Sequence, residues 1–285
     1  IKITGKNRRT RLPTTLNKKT FTIPIAEGCL GDCTYCIVKH ARGKLKSNPP
    51  QKIIEAIKEA IKKGAKEIRL TAQDTAAYGL DIGTNLPTLL KKIIQIPGEY
   101  IIRIGMMTPN EANRIIEPIL ETIKNKKIYK FLHLPLQSGD NNILKLMGRR
   151  YTAEQFIEIA EKFRKKYPLG FIATDIITGF PYEGEKEHKN TIKIIQRIKP
   201  DKVNIARYTP RPHTKAAALP QIPEGIKKKR SRELTELSSK IAYERNRLQI
   251  GKTEKAIVLG EGRNNTLKTR LTNYKIAIIK KEENL

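Results

Sequence analysis

Phe21-Thr22-Ile23-Pro24-Ile25-Ala26-Glu27-Gly28-Cys29-Leu30-Gly31-Asp32-Cys33-Thr34-Tyr35-Cys36 carries a short β-branched run directly into a loop that holds every cysteine of the chain. The run reads as a strand and the loop, spaced Cys-x3-Cys-x2-Cys, as a place for metal. Three thiolates on one short loop can each hold one iron of a cubane 4Fe–4S cluster. The fourth iron is then left without a protein ligand and open to a small molecule. A zinc site made from Cys29, Cys33, Cys36 and His40 is the alternative, although structural zinc sites usually draw paired ligands from two separated turns. A disulfide framework fits poorly, because the cysteine count is odd and the three are close neighbours.

Outward from this stretch, β-branched runs alternate with amphipathic segments, the pattern of a parallel sheet built from βα units. Strands are expected at 21–26, 67–71, 100–104, 129–134, 171–176 and 202–206. Pro49-Pro50 opens a helix with Ile53, Ile54, Ile57 and Ile61 as its apolar stripe, and Gly64 closes it. Pro87 sits at the start of the second helix. Thr152-Ala153-Glu154-Gln155 reads as a capping box ahead of Phe156, Ile159, Ala160 and Phe163. Six strands rather than eight give a partial, open (β/α)6 barrel. In such folds chemistry sits at the carboxyl ends of the strands. The cysteine loop follows the first strand there. Thr71, Gln73 and Asp74, then Gln137 and Ser138, then Asp175 and Thr178 follow others. Each of these taken singly is as readily a loop or cap residue. His133 reads as a hydrogen-bonded structural residue, and His188 and His213 show no partner. The glycine-rich string 179–184 matches neither a P-loop nor G-x-G-x-x-G.

The expected organisation is a basic linker or arm at 1–19 (Lys6, Arg8, Arg9, Arg11, Lys18, Lys19), an α/β core at 20–223, a basic connecting helix at 224–250 and a small all-β module at 251–285. In the connecting helix Leu234, Leu237, Ile241 and Leu248 form the packing stripe. In the last module strands are expected at 253–259, 267–272 and 274–279. That module is short for an independent domain, so it either docks on the core or is truncated. The chain begins with Ile1, which suggests that something precedes it.

Lys and Arg number 57 against 28 Asp and Glu, a net charge of +29. Such a field favours a polyanion, and nucleic acid is the usual one. No apolar run approaches the ~20 residues of a membrane span and no signal peptide is visible, so a soluble, cytoplasmic protein without a membrane partner is expected.

With Tyr35 immediately before the last cysteine, the loop resembles the signature of the radical S-adenosylmethionine (SAM) enzymes. Longer strings narrow the likeness: Lys39-His40-Ala41-Arg42-Gly43, the run Leu70–Pro87, His133–Gly139, Met147-Gly148-Arg149-Arg150-Tyr151 and Thr174–Pro181. Together they resemble the methylthiotransferases, in the archaeal and eukaryotic branch acting on N6-threonylcarbamoyladenosine at tRNA position 37. The resemblance implies a 4Fe–4S cluster on Cys29, Cys33 and Cys36. It implies a SAM pocket with Tyr35, Gln73, Ser138, Arg149 and Asp175 as its candidate residues. It implies cleavage of SAM to a 5′-deoxyadenosyl radical, an electron donor, tRNA recognised at its anticodon loop, and a TRAM-like character for the last module. In this family a second, auxiliary 4Fe–4S cluster sits on an N-terminal domain with three further cysteines. This chain does not carry those residues, so SAM cleavage without methylthiolation is the expectation for it alone. Tyr182-Glu183-Gly184-Glu185 and His213 depart from the family's strings, which have glycine where His213 stands. Another radical SAM modifier of tRNA or ribosomal protein, and a zinc-bearing RNA-binding module, are the rival readings.

Overall fold

The computed structural model describes residues 14–17 and 19–281. Strand β1 (Thr15–Asn17) pairs antiparallel with β2 (Thr20–Pro24). The basic residues Lys6, Arg8, Arg9, Arg11 and Lys18 lie outside the described residues. Within the stretch expected to be a linker, residues 15–17 are instead an edge strand, because their backbone completes a hairpin on β2. A small pair, β3 (Ala26–Glu27) and β4 (Lys46–Ser47), brackets the cysteine loop and the short helix α1 (Val38–Arg42). There follow α2 (Pro50–Lys62), β5 (Glu67–Thr71), α3 (Leu86–Ile94), β6 (Ile101–Arg103), α4 (Pro109–Ile123) and β7 (Phe131–His133). Next come α5 (Asn141–Leu146), α6 (Ala153–Lys166), β8 (Phe171–Thr178), α7 (Glu185–Ile198) and β9 (Lys202–Arg207).

Strands β2, β5 and β6 are parallel neighbours, as are β7, β8 and β9. A parallel bridge from Ile102 to Ile128 and a bond from Met107 N to His133 O (3.0 Å) join the two groups. Six parallel strands therefore run in chain order, with β1 at one edge and β9 at the other. Alternation does the rest. Ile23, Ile68, Leu70, Ile102, Leu132 and Ile172 share one core with Ile53, Ile57, Leu89, Ile116, Phe156 and Phe163 of the helices. Each such side chain contributes about 1.5–3 kcal/mol on full burial. The alternate positions, including Arg69, Arg103, His133, Asp175 and Asn204, take the opposite, polar face. Helix α6 starts with the expected capping box: the Thr152 hydroxyl accepts from Gln155 N, and the Gln155 side chain accepts from Thr152 N.

Helix α8 (Glu224–Arg247) packs along β9 and α7, burying Leu234 and Ile241. Leu248 lies past its end and is half exposed, so the stripe stops at Ile241, about two turns earlier than its spacing suggests. Strands β10 (Ala256–Glu261), β11 (Thr266–Leu271) and β12 (Ile276–Lys280) form an antiparallel meander. Tyr274 is not in the last strand, because it occupies the preceding turn at φ +72°. Its ring packs on Phe131 (4.3 Å between centroids) and Tyr129 (5.0 Å), at the start of β7. The meander thus closes the amino ends of the parallel strands. Asp201, immediately before β9, fastens it: its carboxylate takes Lys275 Nζ at 2.7 Å, Arg164 Nη2 at 3.2 Å and Arg245 Nε at 3.3 Å. Among the described residues no helix is long and apolar enough to cross a membrane.

Candidate functional site

At the opposite, carboxyl end of the strands the cysteine loop opens a cavity of about 680 Å³. Backbone bonds hold the loop from three sides: Cys29 N to Gly43 O (3.2 Å), Thr34 N to Met147 O (3.0 Å) and Ala216 N to Thr34 O (2.9 Å). Gly148 makes the second of these possible. It sits at φ +71°, and a Cβ there would stand 2.8 Å from Asp32 O. The motif Met147-Gly148-Arg149 is therefore shaped to receive the cysteine loop.

Cys29, Cys33 and Cys36 are half-buried free thiols that all line the cavity. Gly31 lies between two of them, and its N–H points at Cys29 Sγ (3.3 Å). Burial pushes the Cys33 thiol above its ordinary range, and the Arg149 guanidinium works against that rise. Among the described residues no group of three or more His, Cys, Asp or Glu side chains is placed to hold a metal ion. A cubane cluster asks for something else, one thiolate for each of three irons, so its ligands need not converge on one point.

Four of the five expected SAM-pocket residues, Tyr35, Gln73, Arg149 and Asp175, line the same cavity. Ser138 does not. It is buried behind the wall, where its Oγ accepts from Asp140 N at 3.3 Å. The adjacent Gln137, at φ +66° and tied to β8 through Asp175 O (2.8 Å), takes the cavity position instead. Arg149 donates to the Tyr35 hydroxyl and lies over the Tyr35 and Tyr151 rings at 5.5 and 5.9 Å. Asp175 receives His133 Nε2 at 2.9 Å and Asn204 Nδ2 at 2.7 Å. Burial would raise the Asp175 carboxyl, but the His133 contact outweighs it and holds the group below its usual value. His188 also has a partner that its sequence does not announce, Glu233 at 3.0 Å on α8.

Three buried polar atoms on the cavity's lining residues make no hydrogen bond: Oε1 of Gln73, Oε1 of Gln137 and Nε of Arg149. Buried polar groups are normally satisfied, and a set left open around one cavity is what a polar ligand would complete. The volume suits a molecule of SAM's size. The donor set of three thiols and these atoms thus fits both a cluster and its cosubstrate.

A parallel α/β sheet that presents thiols and unpaired polar groups in one cavity at its strand ends is the arrangement of a cofactor-dependent enzyme. The chain belongs to the radical SAM superfamily, which it matches over residues 23–195. Its cofactors are a 4Fe–4S cluster and SAM. A "Probable threonylcarbamoyladenosine tRNA methylthiotransferase" of Pyrococcus abyssi is 50% identical over 91% of this chain and 61% of the relative's length. The human "Threonylcarbamoyladenosine tRNA methylthiotransferase" is 38% identical over 84% of this chain and 41% of its own. The chain thus spans about three-fifths or less of these relatives. Among solved structures, the radical SAM methyltransferase TsrM from Kitasatospora setae superposes with a TM-score of 0.57 at 12% identity, over 69% of this chain and 38% of that one, a likeness of fold alone.

Proposed function

We propose that this chain is the radical SAM core of an enzyme that methylthiolates carbon 2 of N6-threonylcarbamoyladenosine at tRNA position 37, beside the anticodon. The observation that carries the radical chemistry is the meeting of Cys29, Cys33 and Cys36 with Tyr35, Gln73, Arg149 and Asp175 around one cavity. Relatives at 38–50% identity, each bearing that activity in its name, support the substrate. The net charge of +29 suits tRNA, whose phosphates position the molecule while other contacts specify it.

In this reading the three cysteines ligate the cluster. When bound, the cluster and SAM supply one-electron cleavage to methionine and a 5′-deoxyadenosyl radical, which removes a hydrogen atom from the substrate carbon. Arg149 keeps its positive charge in the buried wall beside Cys33 and offers the anionic side of the site an unpaired N–H. Gln73 and Gln137 offer acceptors, and Asp175, locked by His133 and Asn204, a fixed carboxylate. The open (β/α)6 core, the helix after residue 223 and the TRAM-like meander then act as one unit that holds tRNA, in the cytoplasm, with a cellular reductase as electron donor.

Anaerobic reconstitution with iron and sulfide, followed by dithionite and SAM, tests the reading through 5′-deoxyadenosine formation. The expected result is product from the native chain and none from Cys33→Ala. Stoichiometric zinc with no iron uptake would overturn it.

A further inference from the structure

Two segments beside the cysteine loop line the cavity. One is the helix after the cysteine loop, with Lys39 and His40. The other is the turn Arg211–Lys215, whose continuation is tied to the loop through Ala216 N and Thr34 O (2.9 Å). The two carboxylates of the cavity are engaged already. Asp32 takes Lys39, and Arg150 at 3.2 Å; Asp175 takes His133 and Asn204. His40, His213 and Lys215 are exposed, line the cavity, and make no side-chain hydrogen bond or ion pair among the described residues. Lys215 lines the same cavity as the cysteine loop. His213 is held at φ +64°, a conformation rare for a side chain with a Cβ, by a turn in which Thr214 Oγ1 donates to Arg211 O at 2.7 Å. The cavity lining therefore keeps the N–H donors of His40, His213 and Lys215 without a hydrogen-bonded side-chain partner among the described residues.

We propose that His40 and Lys215, supplemented in this chain by His213 where the family's strings have glycine, form a carboxylate-reading rim that takes the free carboxylate of the threonyl group on the substrate's N6. This inference rests on the proposed function. It adds the device by which the enzyme would tell a threonylcarbamoyl adenosine from an adenosine whose N6 is bare or carries an apolar group. Such a nucleoside would leave the rim's donors unpaired, which is how polar sites reject ligands that lack the matching group. The same donors could meet two other anions, an RNA phosphate or the carboxylate of SAM, and the test separates all three.

Two anticodon stem-loop RNAs of identical sequence, one with threonylcarbamoyladenosine and one with adenosine at position 37, are titrated against the whole chain at fixed salt and pH. The chain should prefer the modified RNA by on the order of tenfold, the scale of one charge-assisted hydrogen bond. Lys215→Met should bring that preference to within about twofold, as a single lost contact of this scale would, with affinity for the unmodified RNA retained. His213→Gly, which relaxes the turn and cannot fail through strain, should move the preference in the same direction. Equal weakening toward both RNAs would assign the rim to phosphate and overturn the proposal. Weakened SAM binding with RNA preference intact would assign it to SAM and do the same. A native chain that binds both RNAs equally refutes the rim and leaves the proposed function standing. One that binds neither RNA counts against the proposed function, and the rim falls with it.

Discussion

Two buried carboxylates at opposite ends of the parallel sheet, Asp201 and Asp74, are met in opposite ways. At the amino end Asp201 is fully buried and meets three cations, and Glu67 meets Arg69, Arg270 and the Tyr129 hydroxyl. At the carboxyl end Asp74 is buried too, but its partners are the Thr108 hydroxyl and the Thr108 and Ala76 N–H groups, with no cation among the described residues. The consequence is a difference of sign. Burial would raise both carboxyls; Lys275 and Arg245 reverse that for Asp201, while Asp74 is pushed up to about 6. The amino end gathers Asp201 and Glu67 with their cations against the meander, and the carboxyl end has Gln73, Gln137 and Arg149 with unpaired atoms around one cavity. Stability sits at the closed end and ligand capacity at the open one.

The sharpest way to break this contrast is at the cysteines. Cys33→Ala should reduce iron uptake and 5′-deoxyadenosine formation to background while leaving the thermal midpoint of the metal-free chain nearly unchanged, since Cys33 makes no closed-end contact. A collapse of the fold in that variant, seen by circular dichroism, would show that the open end is structural as well.

Asp201→Ala is the converse change. It leaves Arg245 and Lys275 buried, and Arg164 half-buried, around a lost carboxylate, a loss that costs about 3–5 kcal/mol. For a chain of this size that is a fall in Tm on the order of 10 °C. The depressed carboxyl also sets a pH window. Its contribution is present above the unfolded value near 4 and is lost as pH falls through the lower folded value. Limited proteolysis should cut first within β10–β12 in the variant. Retention of wild-type Tm would refute the clasp.

How far the sequence announces this arrangement depends on the range of the interaction. The six parallel strands and the α6 capping box are legible because β-branched runs and Thr-x-x-Gln act locally. The cysteine loop is legible because its spacing alone limits the chemistry. The Arg149–Tyr35 contact joins residues 114 apart, and no periodicity carries it. Asp201 reads as a turn residue after Pro200, and only folding brings Lys275 to it across 74 positions. Ser138 and Gln137 show the finest limit. Which of two neighbours faces the cavity depends on one left-handed backbone angle, φ +66° at Gln137, that residue type does not announce. β1 is illegible in the sequence for a related reason: three exposed residues have no alternation to read, and only their pairing with β2 makes them a strand.

The open-end carboxylate gives a smaller, cleaner test. Asp74 has a folded value near 6 against an unfolded one near 4, so the folded state favours its protonated form. Its contribution is full below pH ~4 and is lost as pH rises through 6, by no more than about 3 kcal/mol. Glu183, also raised by burial, adds a slope of the same sign, so the readout is the difference between native chain and Asp74→Asn. Urea midpoints of the metal-free protein at pH 4.5, 6 and 7.5 should decline more steeply for the native chain. Parallel lines would mean that Thr108 compensates the burial and that the two ends do not differ as described.

The smallest effect separates strain from packing at the open end. His213 occupies a left-handed conformation at the cavity mouth, makes no side-chain hydrogen bond among the described residues and is exposed, so little packing is lost with its ring. A residue with a Cβ gives up roughly 1–2 kcal/mol in that conformation, and glycine returns about 0.5–1 kcal/mol of this as unfolded-state entropy. His213→Gly should therefore stabilise the chain by about 0.5–1 kcal/mol, a rise in Tm of roughly 2 °C. A gain of that size, in a variant that reads the substrate less well, would place the imidazole where function rather than stability holds it. A loss of stability would instead mean that the ring packs against the 211–216 turn, and the mouth would then resemble the closed end more than the contrast allows.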